Sequence, residues 1–320
     1  MITVIVPYFN EAKTIEYTLN QLLSQSLRPE CVILIDSSSF DGSKNIVDFW
    51  IKNKQDLTDI NFKNISEDTS NPASSKNLGV KYSKSEWIAF MDCGQIFERD
   101  WLKKQYEFCL DHNLDYVSGT ISTGGINWMD RCAVAQTYGY KKDSLTIPGT
   151  LIRKEKFLKI GFFLEGRRAG YDVEWRSRAK SLGYIIGVNK STRIEYLGTA
   201  YASNLKNLIF KSYLYHKYTV GLNGVKLIYL YGLIIPTYLI SLSSLRLFLI
   251  VLCLHLIFRG IVTPLLKARN MMLEHPIELI LFGAIIGILI DLARSVGVIY
   301  GTFLYFVIKR RLIFKHKKSI

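Results

Sequence analysis

Asp92 closes an apolar run within Glu86–Trp101 (EWIAFMDCGQIFERDW), where Trp87, Ile88, Ala89, Phe90 and Met91 lead into the turn Cys93-Gly94. An apolar run this short, stopped by a turn, reads as a strand buried on both faces of a parallel sheet. A carboxylate at the C-terminal end of such a strand stands where open α/β sheets bind ligands. Ionised Asp is seldom buried without a partner, so Asp92 is expected to face a cleft and to hold a cation or a donor group. Asp36 ends a second such run, Cys31-Val32-Ile33-Leu34-Ile35, ahead of a polar turn from Ser37 to Ser43. Asn10-Glu11 follow a third, Ile2–Pro7, stopped by proline. Taken singly, Asp36 and Asp92 are ordinary turn residues, Lys76 is a solvated helix residue and Asp172 is a helix N-cap. Two strand-end carboxylates in order with Asn10-Glu11 favour a functional site instead.

The elements that must position these residues alternate. Helical spacing follows the first strand (Ile15, Leu19, Leu22, Leu23), and a second helix runs from near Ser43 through Ile46, Val47 and Trp50. Ile60–Ile65 reads as a third strand, and Asn71–Ser75 caps a helix holding Lys76, Asn77 and Val80. This alternation predicts βαβ units and a mostly parallel sheet flanked by helices, an α/β fold. Beyond it, strands are expected at Asp115–Thr123, Thr150–Arg153, Tyr184–Val188 and Thr192–Tyr196. Asp172 starts a helix through Arg178 to Leu182, closed by Gly183.

Charge divides the chain. Lys and Arg total 41 against 27 Asp and Glu, a formal net charge of +14. Residues 225–320 carry 12 basic side chains against only Glu274, Glu278 and Asp291, whereas residues 1–224 carry 29 against 24. The basic excess brackets apolar segments, which favours an anionic membrane surface over nucleic acid as partner. Three segments are apolar: Val225–Leu242, Leu245–Leu266 and Ile277–Ile308. A spanning helix needs about 20 apolar residues. The first two segments read as an out-and-back pair, and the third as one tilted helix or a hairpin turning at Asp291–Arg294. Asp291 with Arg294 reads as a structural ion pair. With basic flanks inside, the N-terminal domain is expected on the cytoplasmic side. Three regions follow: residues 1–202 as a catalytic domain, 203–224 as an amphipathic, Lys- and Tyr-rich interfacial helix, and 225–320 as membrane-associated helices with a basic tail. The five cysteines form no CxxC pattern and read as reduced, intracellular thiols without a zinc site. Met1 opens directly into a strand pattern, so no signal peptide is expected.

The succession Val4-Ile5-Val6-Pro7-Tyr8-Phe9-Asn10-Glu11, Leu34-Ile35-Asp36 with Asp41-Gly42-Ser43, Ser75-Lys76-Asn77-Leu78-Gly79, Ile88–Asp92 and Gly170–Trp175 resembles family 2 glycosyltransferases, which have a GT-A fold. The resemblance covers about residues 1–200 in order. It implies that Pro7, Asn10, Glu11 and Asp36 line the nucleotide base and ribose pocket, and that Lys76, where the family usually has Arg, reaches the diphosphate. It further implies that Asp92, the first Asp of a DxD motif, binds Mg²⁺ or Mn²⁺, and that Asp172 is the general base. Two positions depart from the family pattern: Gly94 replaces the second DxD carboxylate, and Tyr171 replaces the Glu that precedes the base. No Gln-x-x-Arg-Trp motif is present, which argues against a processive synthase.

The activity implied is inverting transfer of a sugar from a nucleotide-sugar donor to a lipid-linked or surface-polysaccharide acceptor at the cytoplasmic membrane face. Positive charge must stabilise the departing diphosphate, with Lys76, Arg167 and Arg168 as candidates beside the cation. Phe162–Gly170 is a candidate lid that keeps water out. Two alternatives stay open: a polyprenyl-phosphate acceptor, whose ionised oxygen needs no base, and a nucleotide-sugar-binding membrane subunit without catalysis.

Overall fold

The computed structural model describes residues 1–67, 71–125, 127–140, 144–167, 169–192, 194–196, 204–222 and 226–317, with the backbone alone at 122, 144, 196, 226 and 308–317. Arg168, the junction at 202/203, Val225 and the terminal Lys318 lie outside the described residues. By its contacts the chain divides into two units. The first comprises Met1–Ser122, Asp143–Arg167 and Trp175–Leu197; the second comprises Thr123–Lys142, Arg168–Glu174 and Gly198–Ile320.

Among the described residues the first unit is built on a nine-stranded sheet whose main path runs β3 (Asn61–Ser66), β2 (Cys31–Asp36), β1 (Ile2–Tyr8), β4 (Trp87–Phe90), β7 (Ser144–Arg153), β6 (Tyr116–Ser122), β9 (Ile194–Tyr196), β5 (Gln95–Ile96), with β8 (Gly187–Val188) beside β6. Strands β1 (Ile2–Tyr8), β2 (Cys31–Asp36), β3 (Asn61–Ser66) and β4 (Trp87–Phe90) are mutually parallel. Helices α1 (Ile15–Leu23), α2 (Ser43–Lys54) and α3 (Pro72–Tyr82) connect them. Four parallel strands joined by helices put their C-terminal ends on one edge, with Tyr8 opposite Asp36 in register. β7 (Ser144–Arg153) then adds antiparallel to β4 and to β6 (Tyr116–Ser122), so the sheet is mixed, with five of its eight pairings parallel. The expected strands at Tyr184–Val188 and Thr192–Tyr196 contract to Gly187–Val188 and Ile194–Tyr196.

Sequence explains how closely α3 lies on the sheet. Asn71 caps it by accepting from the Ala73 and Ser74 N–H groups at 3.1 Å each, and Pro72 occupies the first turn. Gly79 faces β1, where an added Cβ would come within 2.3 Å of Ile5 Cγ2. Because Ile5 is fully buried, it has no room to retreat. Gly79→Ala should therefore lower stability by about 1–3 kcal/mol through overpacking, read as a fall in denaturant midpoint; an unchanged midpoint would contradict this packing.

The other half of the sheet buries an aromatic cluster. Phe157 stacks on Trp175 with centroids 5.2 Å apart, and Phe163 packs edge-on to Phe90 at 5.7 Å. Trp175 is fully buried and its indole N–H donates to the Gly161 carbonyl at 2.7 Å, which makes it a core residue.

In the second unit, helix α8 (Leu205–Thr219) packs on the long helix that runs from Ala284 to Lys317. Two glycines one turn apart permit the approach: a Cβ at Gly297 would stand 2.4 Å from the Tyr213 carbonyl oxygen, and one at Gly301 2.5 Å from that of Lys217. α8, expected as an interfacial helix, thus has one face taken by another helix. Two helices, Leu245–Lys267 and Pro276–Val307, are long and apolar enough to cross a membrane. The first apolar segment folds as Leu227–Ser241, short of the about 20 residues a span requires. The third continues as one helix through Asp291–Arg294, with no hairpin there. Asp291 is bound most closely by Arg259, whose Nε donates to Oδ2 at 2.6 Å, while Arg294 Nη1 approaches Oδ1 at 3.3 Å. His255 Nε2 lies 3.0 Å from the same carboxylate and its Nδ1 2.9 Å from the Tyr238 hydroxyl. Thr123–Lys142 groups with these helices because Arg131 forks onto Glu278 at 2.8 and 2.9 Å, and Gln136 donates to the Arg259 carbonyl at 2.7 Å.

Candidate active site

The loops after β1 and β2 are stitched together by short polar side chains. Asn10 adopts a left-handed backbone (φ 56°), a conformation Asn tolerates better than most residues. Its side-chain oxygen accepts from the Phe40 N–H and its own N–H donates to Ser39 Oγ, both at 3.0 Å. The Glu11 N–H donates to Ser43 Oγ at 2.7 Å, and the Ala12 N–H to Asp41 at 2.9 Å. Pro7, one residue from the end of β1, pairs in register with Ile35. Asp36 is nearly sealed, 2 % exposed, and accepts from the Ser39 N–H at 3.0 Å and from Ser66 Oγ at 3.4 Å. Pro7, Asn10, Glu11 and Asp36 are therefore brought to one edge, the last three within a hydrogen-bonded turn system and Pro7 in the strand that leads into it.

Lys76 reaches that edge from α3. It is fully buried, and its ammonium meets Asp92 Oδ1 at 2.7 Å. Asp92, just past the end of β4, keeps 35 % of its side chain exposed, so one carboxylate oxygen is engaged while the group still opens to solvent. Next to it, Cys93 packs on the core. Burial raises its thiol well above the ordinary value, and the nearby Glu11 and Asp92 carboxylates push the same way. That suits a packing residue, not a nucleophile.

Glu11 is the second carboxylate at this point. Thr14 Oγ donates to its Oε2. Burial raises the Glu11 carboxyl above its usual value, the Thr14 bond offsets part of this, and Asp92 and Asp41 add repulsion. Gly94 has φ +72°, and a Cβ built there would lie 3.8 Å from Thr14 Cγ2 and 4.0 Å from Glu11 Oε2. The divalent cation implied by the resemblance fits this donor set: hard cations bind one or two carboxylates and complete their shell with phosphate oxygens and water. Among the described residues no group of three or more His, Cys, Asp and Glu side chains is placed to hold a metal ion, at this edge or elsewhere, so phosphate oxygens and water would have to complete the shell.

Sequence reasoning did not single out Asn77. Its amide donates to the Phe163 carbonyl at 2.9 Å and to Glu165 at 2.8 Å, and its oxygen accepts from the Phe163 N–H at 3.0 Å. The first half of the Phe162–Gly170 segment is thus pinned to α3, the helix that carries Lys76. Its place beside Lys76 in the motif was the available signal.

Asp172 belongs to the second unit. It lies in the first turn of α7 (Tyr171–Ser181) and is half-buried. The turn before it is fixed from the same unit: Gly170 has φ +79°, and a Cβ there would meet Thr219 Cγ2 at 2.5 Å and Leu222 Cδ1 at 2.8 Å. The helix carrying Asp172 therefore starts against the end of α8.

The family model described as glycosyl transferase family 2 matches residues 3–176. Among curated relatives, the poly(ribitol-phosphate) β-N-acetylglucosaminyltransferase TarP of Staphylococcus aureus is 27% identical over 127 residues, covering 39% of this chain and 37% of TarP. Glycosyltransferase AglE of Haloferax volcanii is 23% identical over 196 residues, covering 57% of this chain and 62% of AglE. The matches therefore span under two thirds of these relatives. Among solved structures, the mannosyltransferase PcManGT of Pyrobaculum calidifontis, determined in complex with GDP-Man and Mn²⁺, superposes with a TM-score of 0.57 at 16% identity, covering 93% of this chain and 87% of that one. That likeness shows a common GT-A fold. With the family model covering more than half of its 320 residues, the chain belongs to glycosyltransferase family 2.

Proposed function

We propose that the protein is an inverting glycosyltransferase that moves a sugar from a nucleotide-sugar donor to a lipid-linked or surface-polysaccharide acceptor at the cytoplasmic face of a membrane. The observation that carries this reading is the ion pair of the buried Lys76 with the half-exposed Asp92, set on the strand edge that also holds Asp36, Asn10 and Glu11. In this reading Pro7, Asn10, Glu11 and Asp36 receive the nucleoside, Lys76 turns its ammonium to the diphosphate, and Asp92 holds the cation. Held by Asp92, a divalent cation would supply positive charge against the leaving diphosphate. Asp172 takes the proton from the acceptor hydroxyl as that oxygen bonds to the anomeric carbon. The bond from that carbon to the diphosphate oxygen breaks, the nucleoside diphosphate departs, and a single displacement inverts the centre.

A membrane-held acceptor is supported by the unit to which Asp172 belongs. The turn before this residue packs on α8, and α8 packs on the longer of the two apolar helices. The relatives also include TarP, named for a poly(ribitol-phosphate), and the minor teichoic acid biosynthesis protein GgaA of Bacillus subtilis.

Screening nucleotide sugars by thermal shift, then following nucleoside diphosphate release with membrane lipid extract or glycan added, tests the proposal. One donor should stabilise the protein and release diphosphate only with acceptor. Binding without release would support a non-catalytic subunit, and no binding to any nucleotide sugar would overturn the reading. Lys76→Ala should reduce kcat/KM by about 10- to 100-fold, the worth of a charge-assisted bond to phosphate. Lys76→Arg should retain most activity, and equal activity in Lys76→Ala would remove Lys76 from the site.

A further inference from the structure

The gap at position 94 has a neighbour able to fill it. A DxD motif places a second carboxylate two residues after the first, but here that residue is glycine. A Cβ at Gly94 would stand 4.0 Å from Glu11 Oε2, with Thr14 Cγ2 at 3.8 Å the nearest atom beyond its chain neighbours. The carboxylate of Glu11 therefore occupies the neighbourhood into which an aspartate at 94 would extend. Thr14 Oγ donates to Glu11 Oε2, and the backbone N–H of Glu11 is held at 2.7 Å by the fully buried Ser43. The residue is thus fixed at both ends. Asp92 brings the other carboxylate from the end of β4, with Oδ1 paired to the Lys76 ammonium at 2.7 Å and 35 % of its side chain open to solvent.

We infer that Glu11, and not a nucleoside contact alone, is the second protein ligand of the divalent cation, replacing in space the carboxylate that Gly94 lacks in sequence. The inference rests on the transferase reading and assigns the cation site within it. It explains why a chain with Gly94 keeps an acidic pair: the second charge comes from the end of β1 instead of the turn after β4. Two carboxylates with phosphate oxygens and water form a shell that Mg²⁺ and Mn²⁺ accept.

The test is Mn²⁺ binding to the full-length protein in detergent, followed by the loss of the free-ion EPR signal with UDP or GDP present. Affinity for the same nucleotide without metal is measured in parallel. Glu11→Gln should weaken Mn²⁺ by about tenfold or more, the scale of losing part of a coordination sphere, and by a larger factor than it weakens metal-free nucleotide binding. Adding Gly94→Asp to Glu11→Gln should restore Mn²⁺ binding, and Gly94→Asn, which matches its shape and tolerates the same backbone, should not. Unchanged Mn²⁺ affinity in Glu11→Gln overturns the inference. So does a loss of metal-free nucleotide binding with Mn²⁺ binding intact, which returns Glu11 to the nucleoside pocket. Failure of the wild-type protein to bind either nucleotide, with or without Mn²⁺, would instead count against the transferase reading itself.

Discussion

Asp172→Asn should lower kcat by about 10²- to 10⁴-fold, the usual worth of a positioned general base, with donor affinity little changed. The substitution keeps size and hydrogen-bonding shape but removes the basic oxygen. With a neutral hydroxyl acceptor, the attacking oxygen must lose its proton as the new bond forms. With a polyprenyl-phosphate acceptor, the attacking oxygen is already ionised and the same variant should stay active. Tyr171, standing before Asp172 where the family has Glu, leaves both acceptors to be assayed. Single-turnover kinetics with each acceptor class distinguishes them: near-wild-type rates with a hydroxyl acceptor would remove Asp172 as the base.

Asp291→Ala should lower stability by about 3–5 kcal/mol, because removing one member of a buried ion pair strands the others. Arg259 is 4 % and Arg294 7 % exposed, and Asp291 lies between them with His255 on its second oxygen. Paired with each other, these side chains are tolerable among apolar helices; left alone, they are not. The readout is the thermal midpoint of the detergent-solubilised protein and its yield in membranes. An unchanged midpoint would mean that Asp291 is not what holds Leu245–Lys267 to Pro276–Val307.

The parts of this molecule legible in sequence are those with a short-range pattern. Runs such as Val32–Ile35 and Trp87–Met91, each closed by Asp and a turn, fix the strand ends and so the edge on which Asp36 and Asp92 stand. The Ser43 and Asn71 helix starts are similarly local. What escaped depends on long-range partners. The bond from Asn77 to Phe163 joins residues far apart in the chain, and the approach of Gly297 and Gly301 to α8 shows only once both helices are placed. Asp291 was read with its helical neighbour Arg294, the local choice, whereas its closer partner Arg259 comes from another helix. Likewise, the nearness of Glu11 to Gly94 follows from β1 and β4 being adjacent parallel strands, which spacing along the chain does not reveal.

Central to the account is a nucleotide site on the edge shared by β1, β2 and β4. Calorimetric titration of the purified protein with UDP and GDP, repeated on Asp36→Asn and Lys76→Ala, tests it most directly. The account predicts saturable one-site binding of at least one nucleotide to the wild-type protein, weakened in both variants while their circular dichroism is preserved. Equal binding by all three proteins, or none by the wild type, would contradict it.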